Sequence, residues 1–289
     1  MTEASGTVRR PEWATGELDL AGYLDRIGHA GPVAPTGAVL AALHRAHVAA
    51  VPFENVDVVL GRPVAVDLDG VQAKLVHARR GGYCYEHATL FAAVLEEAGF
   101  GVQRLLARVG GDRVRPRPRT HMALHVHGDD GEWLADVGFG NALLAPLPWG
   151  DAGWHRQGGW SYRMTAGPED TWQVEQRTGD AAAVLYHLVD EPVHASDVVL
   201  SNHFTSTHPG SPFVGQLVAI RKDDDSFVRL HGTARHVERP DGRVEEQRLS
   251  PAEAVRVLRE EIGVLLPDAD AGRLEAALAR PGQQPGAPR

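Results

Sequence analysis

The chain has 289 residues and an ordinary globular composition, 43% hydrophobic and 23% charged, which is enough for about two domains. Its formal net charge of −9 argues against general binding to nucleic acid or anionic membranes, so a phosphate-bearing ligand needs a local basic segment. One cysteine excludes an internal disulfide, and no apolar run reaches the roughly 18 residues of a membrane span. No apolar signal-peptide segment follows the N-terminus, so we predict a cytoplasmic protein without a membrane partner.

The first hundred residues are predicted to form a helical bundle, residues 1–100. Four segments show apolar residues at helical spacing, and each ends at a glycine or proline. They cover about 20–27, 37–51, 67–80 and 84–98. We interpret their apolar faces as core.

The rest of the chain changes to short alternating runs broken by Gly, Pro and Asp, which are typical of an antiparallel sheet or barrel. These runs cover 102–109, 121–127, 132–137, 161–165 and 171–176, and the predicted barrel spans 101–205. Further strands over 215–220 and 227–230, and a helix that begins at the cap residue Ser250, predict an α/β lid over 206–289. Its Pro- and Gly-rich tail from residue 281 is predicted to be disordered.

The lone cysteine, Cys84, follows a glycine pair and opens a predicted helix. The positive end of the helix dipole and its free N–H groups favour a reactive thiolate at such a position. A small buried hydrophobic residue is the alternative interpretation. A cysteine nucleophile also needs a base, and the base needs a group that orients it.

The base is sought in the predicted hairpin that contains His121, His125 and His127 on one face of its first strand. If His127 pairs with Glu132 across the turn, Asp136 lies diagonal to both His121 and His125, within reach of either side chain. A slip of one residue would move Asp136 to the other face. The residues themselves leave the choice between the two histidines open.

The same three histidines allow a zinc site with a carboxylate, because such a set can hold the metal. We disfavour it, since one strand supplies only about two ligands unless other segments converge, and we expect no metal. A solvated, histidine-rich sheet face is the third interpretation.

Several segments together resemble the arylamine N-acetyltransferase family, in the family's order and with its approximate spacing. They are 52–55 (PFEN), 80–87 (RGGYCYEH), 120–122 (THM), 136–140 (DVGFG), 202–209 (NHFTSTHP) and 211–213 (SPF). One departure is Ala88, where many members carry Asn.

The resemblance implies that Cys84 is the nucleophile, His121 the base and Asp136 its orienter, which selects His121 over His125. It implies an α+β fold with a cysteine-protease-like core: an N-terminal helical bundle, a central antiparallel β-barrel and a C-terminal α/β lid. The implied reaction is acetyl-CoA-dependent acetylation of a small arylamine or arylhydrazine. It is a ping-pong reaction through an acetyl-cysteine, with acetyl-CoA as the co-substrate and no metal.

Residues 110–119 supply the basic segment that CoA phosphates need, on a loop stiffened by proline. Its arginines are Arg113, Arg115, Arg117 and Arg119. The resemblance implies CoA contacts near Arg117, Gly138, Gly140 and Phe204. Three phenylalanines, Phe53, Phe139 and Phe213, suit an aromatic acceptor pocket, with core packing as the alternative for each.

Rival functions use the same side chains. A cysteine hydrolase would act on amides or peptides, and an amide synthase of secondary metabolism would take its acyl group from a carrier. A binding protein with an inactive site is disfavoured because all three side chains are present. The sequence is also compatible with a homo-oligomer.

Overall fold

The computed structural model describes residues 12–13, 17–111, 117–141 and 143–280. Arg113, Arg115 and the predicted disordered tail from residue 281 therefore lie outside the described residues. In the described part of the chain, no helix combines the length and apolar character needed to cross a bilayer. The cytoplasmic location stays a prediction.

The first third of the chain is helical, as predicted. Its helices are α1 (Leu20–Ile27), α2 (Gly37–Ala50), α3 (Val56–Val59), α4 (Leu68–Gln72) and α5 (Cys84–Glu97). Helix α1 ends at Gly28, whose φ of 67° is the left-handed conformation that glycine adopts without strain. Helix α5 is the centre of this bundle, because every residue from Cys84 to Leu95 is buried.

The third predicted helix is not continuous. Helix α4 passes into a π-helical turn over Ala73–His77. This turn contains Lys74, whose Nζ lies 2.8 Å from carboxylate oxygens of both Asp57 and Glu86. Apolar spacing cannot separate a π turn from an α-helix over so few residues, so the π turn was not predicted.

The middle of the chain forms an eight-stranded antiparallel sheet in the order β5-β4-β3-β2-β9-β8-β7-β6. Its strands are β2 (Gly101–Val109), β3 (Arg119–Gly128), β4 (Gly131–Ala135), β5 (Leu147–Pro148), β6 (His155–Gln157), β7 (Trp160–Ala166), β8 (Thr171–Thr178) and β9 (Ala181–Val189). Strand β5 lies against β7, so the sheet curls into a nearly closed barrel. The predicted barrel is confirmed.

A second sheet, in the order β1-β10-β11-β12-β13, forms the lid. Its strands are β1 (Phe53–Glu54), β10 (Val218–Lys222), β11 (Phe227–His231), β12 (Ala234–Glu238) and β13 (Val244–Arg248). Helices α7 (Pro251–Glu260) and α8 (Asp268–Leu278) supply apolar residues to its own core. Ser250 caps α7 as predicted, its hydroxyl accepting the Glu253 amide at 3.3 Å.

The α+β class with a helical bundle, a barrel and a lid is thus the observed fold. Two features cross the predicted divisions: β1 comes from the helical third yet pairs with β10, and helix α6 (Ala195–Thr207) contains the boundary drawn at residue 205. The three-segment division itself stays a prediction. The pairing of β1 matters for the site, because it ties the segment before Cys84 to the lid.

Candidate active site

Cys84 is the first residue of α5 and is only 3% exposed. The Glu86 carboxylate accepts the Tyr83 amide at 3.0 Å, which fixes the chain as it enters the helix. As the first helical residue, Cys84 has an amide with no intrahelical carbonyl to bond. The thiol therefore sits at the positive end of a buried helix, as the sequence predicted.

Buried ion pairs hold the segment that leads to Cys84. Arg80 donates to Glu54 Oε1 from Nε at 3.0 Å and from Nη2 at 2.7 Å, and Lys74 bridges Asp57 and Glu86. Burial raises the pKa of Glu86 to about 7, with Lys74 opposing the shift. Removing one partner from such a network leaves an uncompensated buried charge, so the network favours a single arrangement of the Cys84 loop.

A chain of neutral side chains fixes the same loop from the other side. Burial lowers the pKa of His47 well below its usual value and that of His87 to about 4. His87 Nε2 lies 3.0 Å from the Gly82 carbonyl and must donate to it, so His87 Nδ1 accepts from His47 Nε2 at 2.9 Å. His47 Nδ1 in turn accepts the Tyr23 hydroxyl at 2.9 Å. The Gly82 carbonyl therefore determines which group donates in each hydrogen bond from His87 through His47 to Tyr23.

His121 and Asp136 meet through the predicted hairpin. His127 pairs with Glu132 in β3 and β4, the register on which the sequence argument depended. His121 Nε2 donates to Asp136 Oδ2 at 2.8 Å, and the Gly138 amide donates to Asp136 Oδ1 at 3.1 Å. Both oxygens of the carboxylate are thus engaged, which fixes its orientation and that of the imidazole.

Charge dominates the protonation of this pair. Burial alone would lower the pKa of His121, but the charge and hydrogen bond of Asp136 outweigh it, and with a smaller contribution from Cys84 they raise it to about 10. Burial would likewise raise the pKa of Asp136, yet the His121 charge holds it below its usual range. The protonated His121 ring interacts with Cys84 through a hydrogen bond and through its charge.

A cavity of about 810 Å³ opens onto Cys84 and His121. Its wall includes six of the residues that the sequence pointed to: Phe53, Phe139, Phe213, Arg117, Gly138 and Phe204. The cavity therefore brings the predicted reactive groups and most of the predicted ligand contacts together in one place.

The chain is similar to known proteins over most of its length. The family model described as N-acetyltransferase matches residues 37–271. An arylamine N-acetyltransferase of Mycolicibacterium smegmatis is 38% identical over 270 residues, covering 91% of this chain and 98% of the relative. The solved arylamine N-acetyltransferase of Nocardia farcinica superposes with a TM-score of 0.86 at 41% identity, covering 93% of this chain and 98% of that one. The chain belongs to the arylamine N-acetyltransferase family.

A further solved member of the family is relevant to the cavity. The Mycobacterium marinum arylamine N-acetyltransferase in complex with CoA has a TM-score of 0.83 and 36% identity, covering 90% of this chain and 98% of that one. The fold of the present family member is thus shared over nearly the whole length of a relative that holds CoA.

Gly140, the remaining predicted contact, is not among the residues that line the described cavity. Its φ of 80° requires glycine, and a Cβ there would lie 3.1 Å from Phe53 Cγ and 3.0 Å from Ile220 Cδ1. The close approach lets Phe53 pack against the Asp136 loop. A role for Gly140 in shaping the wall fits this position, and direct contact with CoA stays a prediction.

The arginine segment is only partly described. A second cavity of about 510 Å³ adjoins the first and shares Pro118, Thr120 and Phe204 with it. Arg119 lines this second cavity but forms an ion pair with Glu191. Among the described arginines of the segment, Arg117 is the one that lines the cavity containing Cys84.

Sequence reasoning missed two residues that support the His121–Asp136 pair. His44, on α2, accepts the Asp136 amide at Nε2 over 3.2 Å. The Tyr186 ring, on β9, packs against His121 with centroids 4.9 Å apart. Burial, and then the Asp136 charge, raise the pKa of Tyr186 well above its usual value, so its hydroxyl stays neutral. Strand β9 was not predicted, and without it nothing pointed to Tyr186.

His125 does not compete for Asp136. Its ring instead contacts Glu132 and Asp190, at 3.3 and 3.4 Å, and burial lowers its pKa. The structure therefore separates the two histidines that the residues alone left as alternatives, and it places His121 apart from His125 and His127.

Gly138 is expected to tolerate no side chain. A Cβ there would lie 2.9 Å from the Cys84 carbonyl oxygen and 3.0 Å from Cys84 Cα. We expect Gly138→Ala to displace the Asp136 loop from Cys84, to cost about 1–3 kcal/mol of unfolding free energy and to lower kcat. Urea unfolding and steady-state kinetics measure both effects. Gly272→Ala is the matched control, because nothing lies within 4 Å of its Cβ position in α8; a similar loss in that variant would contradict the steric explanation.

Proposed function

We propose that the chain transfers acetyl groups from acetyl-CoA to small arylamines or arylhydrazines by a ping-pong mechanism through an acetylated Cys84. The observation that carries the proposal is the 2.8 Å contact between His121 and Asp136 beside Cys84, at the cavity wall. The related protein in complex with CoA supports acetyl-CoA as the donor, and the names of the curated relatives support an arylamine acceptor.

In the first half-reaction the Cys84 thiolate attacks the thioester carbonyl of acetyl-CoA. A tetrahedral oxyanion forms, and the Cys84 amide at the start of α5 is placed to stabilise it. When the intermediate collapses, the bond from carbon to the CoA sulphur breaks. The His121 imidazolium gives its proton to the departing CoA thiolate, and the acetyl group stays on Cys84.

In the second half-reaction the amine nitrogen attacks the acetyl-cysteine. His121, now neutral, removes the proton from the amine, and the bond between carbon and Cys84 sulphur breaks to give the amide and the thiolate. Asp136 holds the imidazole in one orientation and stabilises the imidazolium at each stage. The aromatic wall formed by Phe53, Phe139 and Phe213 suits a flat acceptor and limits the entry of water, the competing nucleophile.

Intact-protein mass spectrometry after mixing with acetyl-CoA tests the proposal. We expect a gain of one acetyl group, on Cys84, and its loss when an arylamine or arylhydrazine is added. Because the chain has one cysteine, an acetyl group that transfers to the added amine is assigned to a thioester on Cys84. Cleavage of amide or peptide substrates without acetylation would favour a cysteine hydrolase. Acylation by a carrier-bound donor but not by acetyl-CoA would favour an amide synthase.

Arg117 is proposed to contact a phosphate of CoA, because it is an arginine at the wall of the cavity in an otherwise acidic chain. We expect Arg117→Ala to raise the KM for acetyl-CoA about tenfold, because the variant loses roughly one charge-assisted hydrogen bond to the phosphate. The kcat should stay nearly unchanged. Steady-state kinetics with acetyl-CoA as the varied substrate measure the change. Arg243→Ala, an exposed arginine of the lid paired with Asp241, is the control. Equal effects of the two variants would contradict a local contact.

A further inference from the structure

A cluster of side chains of the types that bind metals lies on the barrel, outside the cavity that contains Cys84. His125 and His127 project from the same face of β3, and Glu132 of β4 is the direct cross-strand partner of His127. Each of the three offers one ligand atom, and these atoms lie within 4.8 Å of one another. None of the three lines either cavity beside Cys84. His125 is four residues from His121 along the strand, about 13 Å.

The contacts in this cluster are longer than good hydrogen bonds. His125 Nε2 lies 3.3 Å from Glu132 Oε2, and His127 Nδ1 lies 3.4 Å from Glu132 Oε1. Hydrogen bonds from N–H to oxygen usually span about 2.7–3.2 Å. Zinc binds histidine nitrogen and carboxylate oxygen at about 2.0–2.2 Å, so two ligands of a tetrahedral site are about 3.3–3.5 Å apart. Each histidine nitrogen lies at about that distance from one carboxylate oxygen of Glu132, His125 from Oε2 and His127 from Oε1.

The surroundings resemble the outer shell of a metal site. Asp190 Oδ1 lies 3.4 Å from His125 Nδ1, on the side of the ring opposite Glu132, and it accepts from the Gln103 amide at 2.9 Å. A carboxylate on that side of the ring, facing the nitrogen that would not bind the metal, is the usual outer-shell partner of a ligating histidine. The Trp149 ring stacks on His125 with centroids 3.5 Å apart and planes 8° from parallel. The ring of His125 is therefore held from three directions.

We propose that His125, His127 and Glu132 bind one zinc ion, with Asp190 as an outer-shell partner and water in the fourth position. Two histidines and a carboxylate with one open position are a ligand set that zinc accepts. The carboxylates of Glu132 and Asp190 balance its two charges.

The sequence argument against zinc was that one strand supplies only about two ligands, and in this site other segments supply the rest. One strand supplies two ligands, but β4 supplies the third and the segment after β9 supplies the outer carboxylate. The ion would join the β3–β4 hairpin to the end of β9 and stabilise the barrel. It would take no part in acetyl transfer, and the proposal does not depend on that activity.

Titration of the untagged full-length chain with Zn²⁺, in competition with a chromogenic chelator, tests the site. The Cys84→Ser background removes the thiolate, which could bind zinc itself. We expect one equivalent to bind, and we expect His127→Gln and Glu132→Gln each to weaken it at least tenfold. His155→Gln is the matched control, since His155 faces a single carboxylate, Asp151, at 3.2 Å. That variant should bind as the background does.

Two further measurements make the result independent of folding defects. Zn²⁺ should raise Tm in the background and in His155→Gln but not in His127→Gln or Glu132→Gln, whose metal-free Tm shows whether they fold. Co²⁺ bound in place of Zn²⁺ should give the visible absorption of a four-coordinate site in the background, and the two ligand variants should lose it. Absence of a bound equivalent, or binding that neither ligand variant weakens, would overturn the proposal.

Discussion

Replacement of Cys84 by serine is expected to lower kcat/KM by more than about 10³-fold and to abolish the acetyl adduct. A serine hydroxyl is scarcely ionised near neutral pH. The His121 imidazolium already carries its proton, so it cannot remove one from the hydroxyl. The measurement is the rate of arylamine acetylation together with the intact mass after exposure to acetyl-CoA. Retained turnover would remove Cys84 as the nucleophile.

A matched control separates chemistry from packing in that experiment. Ala88 lies one turn further along α5 and is also buried, so Ala88→Ser adds the same hydroxyl to the same buried helix without touching the sulphur. We expect that variant to be acetylated on Cys84. Loss of the adduct in both variants would indicate that a hydroxyl in this helix disrupts the fold.

The hairpin shows what a sequence can predict about a site. The turn between β3 and β4 is local, so the pairing of His127 with Glu132 follows from the position of its glycines. That register places Asp136 on the face of His121, and the structure adds the 2.8 Å contact. Helices α1, α2 and α5 were predictable for a related reason, since their glycine and proline boundaries and apolar spacing lie within one short segment.

The supports of the site were not predictable, because they join residues that are distant in the sequence. The hydrogen bond of Asp136 to His44 and the chain from Tyr23 to His87 depend on how α1, α2 and α5 pack. A buried histidine on an amphipathic helix has the same pattern as any core residue. Only the tertiary packing shows which histidines meet.

The cluster of His125, His127 and Glu132 shows a second limit of prediction from the sequence. From the sequence, three histidines on one strand are equivalent candidates, and a strand by itself offers at most two ligands. The structure assigns His121 to Asp136 and leaves His125 and His127 to Glu132, because Glu132 at the start of β4 and Asp136 just after its end meet different positions along β3.

Replacement of Asp136 by asparagine is expected to lower kcat/KM by about 10³- to 10⁴-fold, because the imidazole loses the charge that stabilises its protonated form. Alkylation of Cys84 by iodoacetamide at pH 7 should slow as well, since the neighbouring imidazolium is lost. Asp129→Asn makes the same substitution at an exposed position in the turn of the same hairpin, and it should change neither rate. Comparable losses in the two variants would contradict a specific role for Asp136.

The pH dependence of stability distinguishes a positioning role from a structural one. The pKa of His121 is raised to about 10, so its contribution to folding is complete below the unfolded value of about 6.5 and is lost as the pH rises towards 10. The pKa of Asp136 is lowered, so its contribution is present above the unfolded value of about 3.9 and is lost as the pH falls. The free energy of unfolding should therefore differ most between the parent and Asp136→Asn at about pH 5–6.5, and the difference should shrink towards pH 9. If Asp136 orients His121, the loss of kcat/KM in Asp136→Asn persists at pH 8–9, where the loss of unfolding free energy is smallest. If Asp136 only supports the fold, the unfolding free energy measured in urea and kcat/KM should both return towards the parent values as the pH rises.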